Sequence, residues 1–492
     1  MDTITSFLPL WSVCLPIIGA IAINFVPEAR AKVRNLLALV TVTVTFAAVA
    51  FMLPIILDGA IIEHTLVRFV PGLELFFRVD ALSIVFGFTS SFLWIFSIIY
   101  STGYMQRQPG QRRYFAFYVL SMSATMGVAF SGNMFTMYIF FEYLTLCTYP
   151  LVVHSQSEEA SRSGVKYIVY CFGGGGLTLI ALIVLQGLVG HADFMPGGIL
   201  GLTLGEPRGL LIIIFFMAVL GFGVKGAIMP FHSWLPAAMV APAPVSALLH
   251  AVAVVKSGIF GMTRVLYYIY GPEMLVKLNV IDYLAFLVCF TMITASVLAL
   301  RQNVLKLRLA YSTIGQLAYI SLGSIMLTPA GLLGGVIHII NHALLKIVLF
   351  FCAGAIIRVT GKTKIEEIRG IGRRMPITMI AFAVAGLGLI GVLPINGYIS
   401  KYYLLTGALQ ADRLVFVVVM LTSAMLNAMY YLPIAVNAFL YKGEFDKPRG
   451  PEAPLTMLVP IIILALICVA FGLFAHKTTI PLVEYVVNDL FY

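Results

Sequence analysis

Ionisable side chains lie inside long apolar stretches of this 492-residue sequence. They comprise one acid and four lysines: Glu142, Lys225, Lys256, Lys346 and Lys401. A charge at the centre of a membrane helix costs about 2.5–3.5 kcal/mol on insertion scales, so the five together cost roughly 13–17 kcal/mol. That sum is comparable to the whole stability of an ordinary domain. Packing alone does not explain such a set, which therefore predicts a path for charge through a membrane.

Three histidines accompany these lysines. The stretch HIINHALLKIV places His338, His342 and Lys346 at i, i+4 and i+8, which is one stripe of an α-helix. In SALLHAVAVVKSG, His250 precedes Lys256 by six residues, which puts the two loosely on one side. Imidazoles titrate near neutral pH, and buried amines can exchange protons there too. Such a row predicts a proton relay, whereas sodium prefers carboxylate oxygens and would need help from a partner subunit.

Other kinds of site find little support in the sequence. The histidine pair could ligate zinc, but no cysteine or carboxylate lies nearby in the sequence to complete a site. The six cysteines all fall in apolar runs and are interpreted as small packing residues. The glycine run at 173–176 is interpreted as a helix–helix contact, because it does not open a helix after a strand. The chain is thus predicted to carry no cofactor and no metal, and not to be an enzyme on its own.

The elements that position these groups are predicted to be membrane helices. Hydrophobic residues make up 61% of the chain and charged residues only 11%, whereas soluble proteins carry about 25% charged residues. Apolar runs of roughly 20 residues, enough to span a bilayer, recur at fourteen positions, centred near residues 16, 46, 92, 122, 143, 178, 219, 256, 290, 318, 345, 391, 427 and 465. The predicted fold class is an all-α polytopic membrane protein, with a small hairpin in the loop at 57–80.

Two of the predicted spans are interrupted in the same way. The seventh, FFMAVLGFGVKGAIMPFHSWLP, and the twelfth, FAVAGLGLIGVLPINGYISKYYLL, both place a glycine-rich patch before a proline, Pro230 or Pro394. A lysine, Lys225 or Lys401, lies close to each proline. Unpaired backbone at membrane depth must be satisfied by protein or water, so a hydrated cavity is predicted beside Lys225.

The two interrupted spans lie five spans apart, which predicts two five-helix units of opposite orientation in the membrane. The predicted units and flanks are 1–113 (spans one to three), 114–270 (first repeat), 271–440 (second repeat) and 441–492 (last span).

The basic residues behind the net charge of +10 are divided unequally between the loops on the two sides of the predicted membrane. Twenty lysines and arginines fall in one alternating set of loops and six in the other. Under the positive-inside rule this places both termini outside the cytoplasm, and it argues against nucleic-acid binding. The first apolar run has Asp2 and no basic residue before it, so we expect a first span rather than a signal peptide.

Five stretches resemble one known family: FFEYLTL, GVKGAIMPFHSWLPAAMVAPAPVSALLHAVAVVKSGIF, LAYSTIGQLAYI, HIINHALLKIVLFFCAGA and GYISKYYLL. They are similar to the antiporter-like membrane subunits of the respiratory complex I superfamily. That family includes Mrp-type sodium/proton antiporter, complex I, membrane-bound hydrogenase and formate hydrogenlyase subunits. The resemblance covers spans four to thirteen. It implies a fourteen-helix fold with inverted repeats, broken seventh and twelfth helices, and a half-channel from each side joined by a polar axis.

The resemblance also implies roles for the ionisable residues. Glu142 and Lys225 would form the coupling ion pair, and Lys256 would connect the two halves with His250 beside it. The eleventh-span stripe would be the relay, and Lys401 would be the terminal residue towards the far side. A lysine there resembles Mrp D-type and hydrogenase subunits more than the relatives that carry glutamate at that place.

Two departures from the family pattern stand out. Val304 occupies the place where relatives often carry an aspartate, so a role for that acid in subunit contact is not carried over. The sequence ends soon after the last predicted span, which disfavours the most distal complex I subunit with its long lateral helix.

Three hypotheses follow. The first is a proton-translocating subunit in a prokaryotic cell membrane, driven by iron–sulfur or other redox centres in partner subunits. These partners would include other membrane subunits and a peripheral redox arm. The second is an Mrp-type sodium/proton antiporter subunit, and the third a non-conducting structural membrane subunit.

Overall fold

The computed structural model describes residues 2–70, 72–106, 108–201, 207–441, 445 and 452–492. Four basic residues that contribute to the predicted orientation lie outside these ranges: Arg107, Lys442, Lys447 and Arg449.

The first part of the chain forms seven helices: α1 (Leu8–Phe25), α2 (Ala31–Leu57), α3 (Ala81–Tyr104), α4 (Gln111–Ala129), α5 (Met134–Val152), α6 (Glu158–Val189) and α7 (Arg208–Lys225). Short polar side chains determine where several of them begin. Asp80, Asn133 and Ser157 each precede a helix and accept a hydrogen bond from a backbone N–H in its first turn. Such caps satisfy donors that have no partner within the helix.

The middle of the chain is irregular. After α7 come a short α8 (Trp234–Ala237), a 3-10 turn (Ala238–Val240) and α9 (Ala243–Ala247). Then α10 (Val254–Arg264) lies between two π-helical segments (Leu248–Val252 and Val265–Tyr270). π-Helical turns are rare and occur often at functional sites.

The remaining helices are α11 (Pro272–Leu278), α12 (Ile281–Arg301), α13 (Leu305–Ile325), α14 (Pro329–Thr360), α15 (Pro376–Ile390), α16 (Gly397–Gln410), α17 (Leu414–Leu440), α18 (Leu455–Leu473) and α19 (Thr479–Phe491). The 32-residue α14 lies at the centre of the bundle and is buried at every position from Ala330 to Ile356. The whole of α10 is buried as well, so α14 and α10 form the inner core.

A three-stranded sheet covers one end of the bundle, called here the hairpin face. Strands β2 (Ile61–Val70) and β3 (Leu73–Val79) pair antiparallel, and β1 (Thr3–Thr5) pairs parallel to β2. The predicted hairpin is therefore confirmed. The inward side chains Phe77 and Val79 are fully buried and attach the sheet to the helices.

The class of polytopic helical membrane protein is confirmed. Eleven helices among the described residues are long and apolar enough to cross a membrane. The other three predicted positions correspond to the less apolar α4 and α13 and to the gap between α15 and α16. The count of fourteen crossings and the repeat boundaries stay predictions.

Candidate functional site

Glu142 of α5 faces Lys225, the last residue of α7. The Lys225 Nζ lies 3.7 Å from Glu142 Oε1, and as whole residues the two are 0% and 9% exposed. The ammonium also donates a hydrogen bond to the Phe141 carbonyl and lies 3.4 Å from the centroid of the Phe141 ring, where a cation is attracted by the π-face. The predicted pair thus lies together, with the Lys225 side chain fully buried and the Glu142 side chain 11% exposed.

Two glycines of α6 make room for this pair. A Cβ on Gly175 would lie 2.3 Å from Glu142 Oε1, and one on Gly174 would lie 2.8 Å from the Gly221 carbonyl of α7. Gly173 and Gly176 have no heavy atom within 4 Å of a built Cβ. The glycine run therefore is a close helix contact, as predicted, but only its two central residues require glycine for space.

The first helix break starts earlier than its proline. The sequence placed Lys225 in the middle of a span, but α7 ends at Lys225, five residues before Pro230. The chain leaves helical geometry at Ala227, whose φ is +56°. Protein groups satisfy part of the freed backbone, because the Val224 carbonyl accepts from Trp234 Nε1 at 2.8 Å and the Met229 N–H donates to Thr291 Oγ1 at 3.1 Å.

A cavity of about 930 Å³ lies beyond this break, at the end of the bundle opposite the hairpin face. Its lining includes His154, Lys166, Ser233, Lys306 and Tyr311. Lys225 is not among the lining residues, so this cavity differs in position from the hydrated space that the sequence predicted beside that lysine.

Lys256 and His342 join the two central helices. The Lys256 Nζ lies 2.5 Å from His342 Nδ1, and both side chains are buried. The other ring nitrogen, Nε2 of His342, is buried without a hydrogen-bond partner among the described residues. This contact connects α10, next to the first break, to the predicted relay residues His338, His342 and Lys346 on α14.

His338 is the predicted relay residue on α14 that lies nearest to the second break. The centroids of the His338 and His342 rings are 6.0 Å apart. His338 Nδ1 lies 2.8 Å from Ser400 Oγ of α16, and Nε2 lies 3.0 Å from Gln316 Oε1 of α13. Both imidazole nitrogens therefore have polar partners, and one of these partners, Ser400, directly precedes Lys401 in the sequence.

The two remaining lysines donate to neutral oxygens. Lys346 Nζ donates to the Leu309 carbonyl at 2.9 Å, to Ser312 Oγ at 2.9 Å and to Tyr431 Oη at 3.0 Å. Lys401 Nζ donates to the last two carbonyls of α15, Leu389 at 2.6 Å and Ile390 at 2.9 Å. A cation is favourable there because the C-terminal end of a helix carries a partial negative charge.

His250 makes no hydrogen bond to Lys256. Both of its ring nitrogens are buried without a hydrogen-bond partner among the described residues, and its ring lies 4.9 Å from the ring of Phe350. His250 lies within the π-helical segment Leu248–Val252, which ends before α10 begins at Val254, so regular α-helical spacing between His250 and Lys256 does not hold.

The structure also corrects the prediction that Glu142 is the one buried acid. Asp80 is 5% exposed and makes a bidentate ion pair with Arg264, at 2.5 and 2.8 Å. Burial favours a higher pKa for Asp80, but the Arg264 charge and hydrogen bonds from Arg264 and Ser83 outweigh it and lower that pKa. Sequence reasoning missed this pair because both residues lie at the edges of apolar runs.

The neutral polar residues that contact the predicted relay groups were also missed from the sequence, and these are more numerous than the missed charges. Gln316, Ser400, Ser312 and Tyr431 contact the predicted relay groups. A signal was present, since Gln316 lies inside LAYSTIGQLAYI and Ser400 inside GYISKYYLL. Among the described residues there is no group of three or more His, Cys, Asp or Glu that could hold a metal ion.

Comparison with known proteins gives matches over most of the chain. Residues 131–427 match the family described as NADH:quinone oxidoreductase/Mrp antiporter, TM. Residues 72–115 match NADH-ubiquinone oxidoreductase (complex I), chain 5 N-terminus.

Two of the most similar relatives have names of different kinds, an oxidoreductase subunit and an antiporter subunit. NADH-quinone oxidoreductase subunit N of Desulforudis audaxviator is 30% identical over 510 residues, covering 98% of each chain. Na(+)/H(+) antiporter subunit A1 of Staphylococcus haemolyticus is 28% identical over 438 residues, 84% of this chain and 54% of that protein. The chain thus spans about half the length of that antiporter subunit.

A solved structure shares the fold. A chain of the membrane-bound sulfane sulfur reductase, an archaeal respiratory membrane complex, superposes with a TM-score of 0.90. The superposition covers 99% of this chain and 98% of that one at 22% sequence identity.

Proposed function

The chain belongs to the NADH:quinone oxidoreductase/Mrp antiporter membrane family, and we propose that it translocates protons along its buried Glu/Lys/His axis. It acts in this proposal as an antiporter-like subunit of a larger complex in a prokaryotic cell membrane. Redox chemistry in partner subunits supplies the energy, because no redox-cofactor motif is recognised in this chain.

The observation that carries the proposal is the contact between Lys256 and His342. It joins α10 to α14 at 2.5 Å, between the Glu142–Lys225 pair on one side and His338 on the other. A proton on Lys256 can pass to a neutral His342 within one hydrogen bond, without crossing apolar core. A direct hydrogen bond between two groups that can each take up and release a proton is what a relay requires.

The two broken helices give this axis its ends. Lys225 precedes the first break, and Lys401 follows the second. Each lysine is held by backbone carbonyls, at Phe141 for the first and at Leu389 and Ile390 for the second. A small rotation of either half-helix would move its lysine from these carbonyls to water. Each lysine would then exchange protons with one side of the membrane, and this exchange path is the half-channel on that side.

Glu142 and Lys225 couple transport to the partner subunits in this proposal. Lys225 is charged while Glu142 lies next to it and releases its proton towards Lys256 when the pair separates. Infrared spectroscopy of isotopically labelled lysine should then show two protonation states during turnover. A Lys225 that stays charged throughout the cycle would contradict this coupling step.

The orientation follows the charge asymmetry of the loops. The hairpin face lies outside the cytoplasm in this proposal, together with both termini, and the 930 Å³ cavity opens towards the cytoplasm. Labelling of single cysteines placed on β2, with a membrane-impermeant reagent on intact cells, tests this assignment.

The function is tested by ion transport in sealed vesicles that contain the native complex. We expect proton uptake to persist without sodium and to be lost in Lys225→Ala. A strict requirement for sodium would support the Mrp-type alternative. Unchanged transport by the assembled mutant would leave a structural role only.

A further inference from the structure

A partly enclosed apolar groove lies near the hairpin face, away from the proton axis. It has a volume of about 470 Å³, within the roughly 300–1,000 Å³ typical of small-molecule sites. Its walls come from α2, α3, α14, α18 and α19. The apolar lining includes Leu53, Phe88, Phe92, Ile340, Leu344 and Phe471.

The mouth of this groove is polar and positive. Lys477, exposed to solvent, lies at its rim, followed by Thr478 and by Thr479, the first residue of α19. Thr479 is only 2% exposed, and its hydroxyl is buried without a hydrogen-bond partner among the described residues. The described lining contains no aspartate or glutamate. The rim therefore offers one cation and one unpaired hydroxyl to a ligand.

The position of the rim suits the surface of a membrane. It follows α18, which is long and apolar enough to span a bilayer. The 13-residue α19 is too short to span one, since a crossing needs about 20 residues. Short helices that bury one face and expose the other commonly lie at the interface. The apolar body of the groove then extends from headgroup level towards the hydrocarbon.

We propose that this groove binds one acyl chain of an anionic phospholipid, with its phosphate held at Lys477 and Thr479. The apolar walls accept the chain, the ammonium neutralises the phosphate, and the Thr479 hydroxyl donates to a phosphate oxygen. A spanning helix of a partner subunit, about 10 Å wide, would need a much larger opening. A zwitterionic lipid such as phosphatidylcholine carries the same phosphate, but its own choline cation leaves it no net charge with which to balance the lysine.

The bound chain would rest against the central helix. Ile340 and Leu344 lie two residues on either side of His342 on α14, and a helix turns by about 100° per residue. They consequently face away from the stripe that carries the histidines. An acyl chain here would support α14 from behind without contacting the proton axis.

The test uses the full chain in nanodiscs of phosphatidylcholine alone or with phosphatidylglycerol, and native mass spectrometry of the lipids retained after extraction. We expect phosphatidylglycerol to be retained preferentially. Lys477→Ala should weaken its retention about fivefold, because an interfacial lysine contributes about 1 kcal/mol to anionic-lipid binding. Lys277→Ala, which alters another exposed lysine away from the groove, is the matched control and should retain phosphatidylglycerol as the unmutated chain does.

A second variant separates the hydroxyl from the charge. Thr479→Val keeps the shape of the side chain but removes the donor to the phosphate oxygen, so phosphatidylglycerol retention should fall severalfold, and unchanged retention would overturn the role of the hydroxyl. Equal retention of both lipids, or equal losses in Lys477→Ala and Lys277→Ala, would overturn the proposal. Cross-linking of a Leu53→Cys variant to a helix of a partner subunit, with no lipid retained, would also overturn it.

Discussion

At the scale of single residues, the Glu142 carboxylate depends on the space that Gly175 leaves. A methyl group there would lie 2.3 Å from Oε1 and 2.7 Å from Cδ, closer than real contacts allow, so Gly175→Ala must displace the carboxylate from Lys225. We predict that proton transport falls at least severalfold in Gly175→Ala while the protein still assembles. The control is Gly173→Ala in the same run, where a methyl group meets no atom within 4 Å. Equal transport by the two variants would show that the position of Glu142 does not matter.

Two buried histidines should differ in what they contribute to stability. His342→Phe leaves the Lys256 amine buried without its partner, which costs about 1–3 kcal/mol. His250→Phe breaks no hydrogen bond, because both ring nitrogens lack partners among the described residues, so its free energy of unfolding should change little. Denaturant unfolding in detergent measures both. A larger loss in His250→Phe than in His342→Phe would contradict the contacts described here.

Much of this residue-level picture could be predicted from sequence. Charged residues in apolar runs are conspicuous because burial is costly, and all five predicted members are buried. Their neutral partners were not predicted, because serine, glutamine and tyrosine are common in membrane helices and carry no such cost. The Asp80–Arg264 pair was missed for another reason, since charges at the ends of spans normally face water.

At the scale of elements, Lys401 acts as a cap for α15. Its ammonium donates to the last two carbonyls of that helix, and hydrogen bonds from a charged group contribute about 1.5–3 kcal/mol each. Lys401→Met should lower the free energy of unfolding by about 1–3 kcal/mol, less than the sum of the two bonds because the cost of burying the charge is removed with them, whereas Lys401→Arg, which keeps the donors, should lower it less. Thermal unfolding of the two variants in the same detergent makes the comparison. Identical midpoints for Lys401→Met and the unmutated chain would rule out the cap.

The C-terminal helix α19 should respond to pH through Asp489. Burial and the neighbouring Asp80 raise the pKa of Asp489 from 3.8 to about 6. The folded state therefore binds this proton more tightly than the unfolded chain, and stability falls as pH rises from about 4 through about 6. We predict that hydrogen exchange of residues 479–491, corrected for its intrinsic pH dependence, becomes faster over this range.

Two variants on α19 check that assignment. Asp489→Asn should remove the pH dependence, because it eliminates the titrating group beside Asp80. Glu484→Gln, an exposed position on the same helix, should leave it intact. A pH dependence that persists in Asp489→Asn would assign the effect to another group.

Element boundaries were harder to predict than element existence. Each of the two breaks was expected at a proline, yet α7 ends five residues before Pro230 and α15 ends four residues before Pro394. Glycines before each proline already allow the chain to leave the helix. The π-helical turns around α10 had no sequence signal, and one of them contains His250, so the α-helical spacing assumed between His250 and Lys256 does not apply.

At the scale of the whole molecule, hydropathy predicted the class and most of the helices, because the bilayer leaves few alternatives to helices. It did not predict the three-dimensional order of the elements. The central position of α14 depends on packing between residues far apart in sequence. The small apolar groove likewise comes from five helices that no local pattern brings together.

The central claim is that protons cross this subunit through the contact between Lys256 and His342. The most direct test is proton uptake by sealed, sodium-free vesicles that contain the native complex with Lys256→Met, with Lys277→Met as the matched control. We expect Lys256→Met to lose the uptake carried by this subunit and Lys277→Met to retain it, at equal assembly. Full uptake by the assembled Lys256→Met complex would show that protons do not cross through this contact.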